Sequence, residues 1–238
     1  MNTKTLHDLP IWWWAGIPAA MLLMTLYAYF YSAELMTLLI RRDEHPDGGG
    51  IAENGILVVL LPGIIAGIAI IWHRRDQLPL WLLGWLLGWT LACVYFAGEE
   101  ASWGQHYFRW MTPETLHNFN DQRETNLHNT SSWLDQKPRA LVELWMIFAG
   151  LLVPLMRRFR PAALWANHDW SRWFWPTAIG IPAVVAFLFS LVVGLIAKKT
   201  GRADLHQLGS NELREFYIAV FLSGYLLSLW YRLRQTAT

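Results

Sequence analysis

Leu80–Glu100, LWLLGWLLGWTLACVYFAGEE, decides how this chain is read. No charged side chain occurs between Leu80 and Gly98, and at about 1.5 Å per residue such a helix crosses a hydrocarbon layer of roughly 30 Å. Glu99 and Glu100 follow without a break. The run is therefore a membrane span that ends in two adjacent carboxylates. Within it Trp81, Trp85 and Trp89 alternate with Gly84 and Gly88 at four-residue spacing. That spacing puts both glycines on one face, where close approach of a neighbouring helix is expected. The tryptophans read as packing residues.

Upstream, residues 11–40 are apolar apart from Glu34 and a few small or hydroxyl residues. This is too long for the apolar region of a signal peptide, and no small-residue cleavage site follows, so an uncleaved first span is expected. A polar loop, Arg41 to Asn54, contains Asp47–Gly50, DGGG. A second span over 51–72 is stopped by His73, Arg74, Arg75 and Asp76. Downstream, a fourth span over 140–156 ends at Arg157, Arg158, Arg160 and Pro161, and 165–175 carries four tryptophans, as in an interfacial belt. A fifth span over 176–197 ends at Lys198 and Lys199, and a sixth covers 213–231. The expected fold is all-α: one integral membrane domain over 1–238, with about six transmembrane helices including the third at 80–98. A polar re-entrant or amphipathic segment, 98–139, lies between helices 3 and 4.

Composition agrees: 54% of residues are hydrophobic, 16% are charged and 16 are tryptophan, a membrane protein's usage. With a formal net charge of +1 there is no basic field for nucleic acid. Cys93 is the only cysteine, which excludes an intrachain disulfide and a cysteine metal cluster. Six spans put both termini on one side. Lysine and arginine divide nine to ten between the two sides, so their total is uninformative. The compact patches His73–Asp76 and Arg157–Pro161 lie against span ends on the terminal side, which favours cytoplasmic termini.

The acids are far less even. Asp8, Asp76 and Asp169 fall on the terminal side, and the other fifteen of eighteen fall opposite, with His45, His106, His117, His128 and His206. Glu34, Glu53, Glu99 with Glu100, Glu143, and Glu212 with Glu215 stand at helix ends that alternate in direction. All are therefore expected at one membrane level. A carboxylate at mid-membrane costs about 2.5–3.5 kcal/mol on insertion scales, so a shared polar cavity is expected around them.

Most of the remaining chemistry lies in Gly98–Asn129, GEEASWGQHYFRWMTPETLHNFNDQRETNLHN. A helix continuing past Phe96 would put Glu99, Ser102 and His106 on one face, and Glu100, Trp103, Gly104 and Tyr107 on another. Glu124 and His128 stand four apart, the spacing of half a divalent-metal site. Asn118, Asn120, Gln122, Asn126 and Asn129 could orient ligands or hold a polar headgroup, as could Gln105. No HExxH, paired ExxH or DxDxDG pattern occurs, which argues against a zincin, a di-iron bundle and a calcium loop. Ser102 lacks a Gly-x-Ser-x-Gly elbow.

GEEASWGQHYF, then TPE, then NDQRETNLHN resembles the paired signature EExSWGQ and QxExNLHN of a little-characterised group of bacterial polytopic inner-membrane proteins. The resemblance covers about 32 of 238 residues. It implies a bacterial inner-membrane setting and gives weight to Glu99, Glu100, Ser102, Gln105, Glu124, Asn126 and His128. It implies no reaction. The group more often has arginine at position 106, so His106 departs from its pattern. The Ser102-x3-His106 spacing is also similar to that of membrane hydrolases related to alkaline ceramidase. Their late His-x3-His pair is absent, because Ser210 stands four residues after His206.

The expectation from sequence is a site near the outer leaflet acting on a membrane lipid or lipid-linked substrate by metal-dependent hydrolysis or transfer. Glu99, Glu100 and Ser102 are the catalytic candidates. Glu99, Glu124, His128 and His106 are candidate ligands to a divalent metal ion. Gln105, Asn126, Asn129, Glu212 and Glu215 are substrate-binding or supporting candidates. Two alternatives use the same residues: an ion-coupled transporter, with Pro62, Pro154, Pro176 and Pro182 marking broken helices, and a non-catalytic membrane assembly partner.

Overall fold

The structure, a computed structural model, describes residues 7–41, 49–108, 110–113, 132–159 and 171–235. Every long regular element among them is helical. In chain order these are α1 (Ile11–Tyr31), α2 (Ala33–Ile40), α3 (Ile51–Arg74), α4 (Leu80–Glu100) and α5 (Ser132–Ile147), which passes through a π-helical turn at Phe148–Leu152 into α6 (Val153–Phe159). They are followed by α7 (Ile181–Thr200), α8 (Ala203–Leu208) and α9 (Asn211–Arg234). Among the described residues six stretches are long and apolar enough to cross a membrane, as the hydropathy pattern predicts: Trp14–Tyr31, Ile51–Gln77, Leu80–Glu100, Lys137–Phe159, Ala178–Thr200 and Ala203–Arg234.

The first expected span is two helices. Ser32 leaves helical geometry at φ −153°, and its hydroxyl accepts from the Leu35 amide at 3.2 Å, which caps the new helix α2. A serine with a partner for its side chain competes well with the helical backbone, so an apolar run can break there.

The sixth span forms the hub. In its apolar window 83% of residues are buried, against 22% in the first and third spans. α9 packs on α3, α7 and α4, and its buried residues, from Leu213 to Leu233, include Tyr217, Phe221 and Leu226. Close approach is made by glycines of α3: a Cβ on Gly63 would lie 2.6 Å from the Ser223 backbone of α9, and one on Gly67 would strike Thr90 of α4. Gly84 and Gly88 do not make the expected contact, since a Cβ at either would meet nothing within 4 Å. Four-residue spacing makes a smooth face but does not say which way the face turns.

Trp85 and Trp89 pack inside a ring cluster with Trp145, Phe174 and Tyr225. Trp85 Nε1 donates to the Tyr225 hydroxyl at 2.9 Å, and that hydroxyl donates to the Phe174 carbonyl at 2.8 Å. Part of the expected interfacial belt is also internal: Trp173 is buried beneath the Arg232 guanidinium, 5.7 Å from its ring centroid. At the same end the chain tails clasp each other, His7 N donating to Gln235 Oε1 at 3.0 Å and Gln235 Nε2 to the His7 carbonyl at 2.6 Å. Both tails therefore lie at one end of the bundle. At the other end Asp204 of α8 accepts from Tyr29 of α1 at 2.8 Å and pairs with Arg202.

Candidate functional site

α4 carries no charge before Gly98 and stops at Glu100, where Ala101 N still donates to Ala97 O at 3.1 Å. The chain then reverses through three left-handed residues, Ser102 (φ 43°), Trp103 (φ 55°) and Gly104 (φ 97°). Two of the three are not glycine, a conformation costing about 1–2 kcal/mol per residue. The reversal folds Trp103 back along α4. Its ring fills the space that a Cβ on Gly98 would occupy, 2.9 Å from the nearest ring carbon, and lies 6.3 Å from the Tyr95 ring. Nε1 of the indole then donates to Glu99 Oε1 at 2.6 Å. Glu99 is only 3% exposed.

The helix continues past Phe96 as expected but stops at Glu100, before Ser102 and His106. The face of Glu99, Ser102 and His106 is not formed, and Trp103 serves Glu99 instead of grouping with Glu100. Ser102 is buried in the turn and does not line the cavity described next. His106 lies in a single helical turn, Gln105–Phe108, and its side chain is outside the described set. Gln105 Nε2 donates to Thr112 Oγ1 at 2.9 Å and to the Trp110 carbonyl at 3.3 Å, holding its own loop together. Tyr107 ties that loop to Asn54 on α3 at 3.1 Å.

Glu99 and Glu100 line a cavity of about 170 Å³ between α4, α5 and α9. Tyr95 and Phe96 supply the α4 wall, Arg139 the α5 wall and Glu215 the α9 wall. Arg139 Nε donates to Glu143 Oε1 at 2.9 Å, one helical turn on, and its NH1 pairs with Glu215 across the cavity. These three side chains are about one-fifth exposed, at 18%, 22% and 20%. One guanidinium thus fixes two carboxylates from two helices, a planar fork that a lysine could not replace. Arg139 is absent from the candidates that the sequence offers. The signal available was its position four residues before Glu143 at the start of an apolar run.

The helix-end glutamates share a level but not a cavity. Glu99, Glu100 and Glu215 line the first one, with Glu143 joined to it through Arg139. Glu212, one helical turn from Glu215, lines a separate cavity beside α7 and α8. Glu34 is exposed in the first turn of α2, and Glu53 stands in the first turn of α3. Helix direction sets the level of a residue, whereas rotation about the axis sets which cavity it enters. Glu124, Asn126, His128 and Asn129 lie outside the described residues. Among the described residues no three His, Cys, Asp or Glu side chains group as metal ligands.

Comparison of the chain with protein-family models, with curated proteins and with solved structures gave no match. The site is therefore read from its own chemistry.

Proposed function

We propose that the α4–α5–α9 cavity receives the polar part of a membrane lipid or lipid-linked substrate, and that Glu99 and Glu100 do acid–base work there in a hydrolytic or transfer reaction. One observation carries this reading: a carboxylate that is 3% exposed forms the wall of a cavity whose other walls bear Arg139 and Glu215. Ionisable groups at such positions are costly and mark functional sites. The depth fits a headgroup. Glu99 and Glu100 are the last two residues of α4, and Glu215 is the fifth of α9, so the cavity lies near the end of the bundle. Coupled carriers hold their substrates nearer the bilayer midplane.

Prolines give the carrier reading partial support. α3 runs unbroken through Pro62 and Pro182 sits in the first turn of α7, whereas Pro154 adjoins the π-helical turn and Pro176 stands in the short non-helical stretch before the 3-10 turn Ala178–Gly180. In the proposed chemistry one of the two adjacent glutamates takes a proton from water while Arg139 orients the substrate's anionic group. The reading includes a divalent metal ion, which would lower the pKa of a bound water and so make it easier to deprotonate. Glu99 would be the ligand supplied by this cavity, with Glu124 and His128 from the segment outside the described residues. A bacterial inner-membrane setting with cytoplasmic termini belongs to the same proposal, on the resemblance and on the basic patches at His73–Asp76 and Arg157–Pro161.

Metal analysis of purified protein tests the reading directly. Bound divalent metal is expected in the native chain, with loss of most of it in the Glu124→Ala/His128→Ala double variant and weaker retention in Glu99→Gln. Equally negligible metal in all three would remove the metal from the proposal. Proton flux in proteoliposomes that vanishes with Glu99→Gln would replace the enzyme by the carrier.

A further inference from the structure

On the far side of α9 lies a larger cavity, of about 590 Å³, at the same end of the bundle. Its floor is backbone. Gly194 of α7 and Gly209 meet there so closely that a Cβ on Gly194 would fall 2.9 Å from the Gly209 carbonyl oxygen. Ser190 Oγ fixes this junction by donating to the Leu208 carbonyl at 3.0 Å. One wall is apolar, from Ile40, Leu191 and Leu195, and Leu195 is 59% exposed on the lipid-facing side of α7. Lys198, one turn beyond Leu195 on α7, joins His206 of α8 and Arg214 of α9 in the lining. Glu212 is the acidic lining residue.

The charges in this lining are unequally committed. Arg214 bonds to Asn211, and its field is shared with Glu143, Glu212, Glu215 and Arg139. Its buried Nε has no hydrogen-bond partner among the described residues. Lys198 is exposed at the last turn of α7, and His206 is exposed on α8. The first turn of α9, a 24-residue helix, opens on the same space, with the Ser210 hydroxyl accepting from Leu213 N. Its amides add to the positive potential. Cationic donors beside an apolar wall that leads to lipid-facing helix are the chemistry of a headgroup pocket, in which a phosphate meets the donors and the attached chain follows the wall.

From this arrangement we infer that the α7–α8–α9 cavity binds a phosphate-bearing anion, carried by an anionic phospholipid or present as free phosphate, with Lys198, His206 and Arg214 as its donors. The inference is independent of the reaction assigned to the glutamate cavity. It is tested by titrating the full chain, purified in a neutral detergent, with dihexanoyl phosphatidylglycerol, dihexanoyl phosphatidylcholine and inorganic phosphate, following the thermal midpoint. A saturable rise with phosphatidylglycerol and none with phosphatidylcholine is expected. Lys198→Glu should weaken it about tenfold or more, the loss of a charge-assisted hydrogen bond and its replacement by repulsion. Lys199→Glu makes the same change of net charge one residue outside the lining, and should alter the apparent affinity less than about twofold. A rise with inorganic phosphate that is also lost in Lys198→Glu would assign the site to the free ion. Equal responses to the two lipids, or equal losses in the two lysine variants, would overturn the inference.

Discussion

Trp103 is the residue through which the end of α4 holds Glu99. The indole reaches back only because Ser102, Trp103 and Gly104 all adopt positive φ and because Gly98 leaves room for the ring. Trp103→Phe keeps an aromatic side chain but removes the donor together with the second ring of the indole. A hydrogen bond to a charged group is worth about 1.5–3 kcal/mol, so a loss of that order is expected in denaturant unfolding of the purified protein. Gly98→Val should cost a comparable amount by a different route, displacing the ring from its seat. If Trp103→Phe unfolds with the native midpoint, the indole is packing alone and Glu99 is held by other groups.

At the scale of the helix the controlling residues are the glycines that seat α3 against α9 and α4. Gly63→Val forces a side chain against the Ser223 backbone, and overpacking of that kind costs about 1–3 kcal/mol or more. Gly84→Val and Gly88→Val enter open space and should leave the unfolding midpoint unchanged to within about 0.5 kcal/mol. Reversed sensitivities would mean that α4 packs through its glycine face. The pair also shows where the sequence stops being informative. Apolar run length located all six spans, because the bilayer imposes a length on any helix that crosses it. The level of Glu99, Glu100 and Glu215 was equally legible, from helix direction. What was not legible was rotation: four-residue spacing is identical for Gly63 with Gly67 and for Gly84 with Gly88, and tertiary packing alone separates them. The reversal at Ser102–Gly104 was invisible for a related reason, since two of its three left-handed residues are not glycine and advertise nothing. Arg139 carries no sequence signal of its role across the cavity because its partner Glu215 lies 76 residues away.

For the molecule as a whole, the meeting of His7 with Gln235 and the placement of Arg202 at the opposite end make the topology measurable. Cys93 is buried, which makes it a silent background for thiol labelling. His7→Cys and Gln235→Cys should react alike with a membrane-impermeant thiol reagent applied to whole cells, and Arg202→Cys should react oppositely. Like behaviour of Arg202→Cys and Gln235→Cys would mean an even number of crossings between them, where α9 supplies one. Unreactive ends with a reactive Arg202→Cys would put the tails in the cytoplasm.

Because α9 is the hub, the bundle is translated from the outside in. α1, α3, α4, α5 with α6, and α7 all enter the bilayer before the helix that fills their centre has left the ribosome. In the folded chain Gly63 and Gly150 are the sockets that receive Ser223 and Phe221 of α9. The helices that surround α9 are thus made before the helix they pack around. Insertion of α9 is a late threading step, so a chain stopped before Asn211 is expected to be recognised by quality-control proteases even though five of its six spans are already in the membrane.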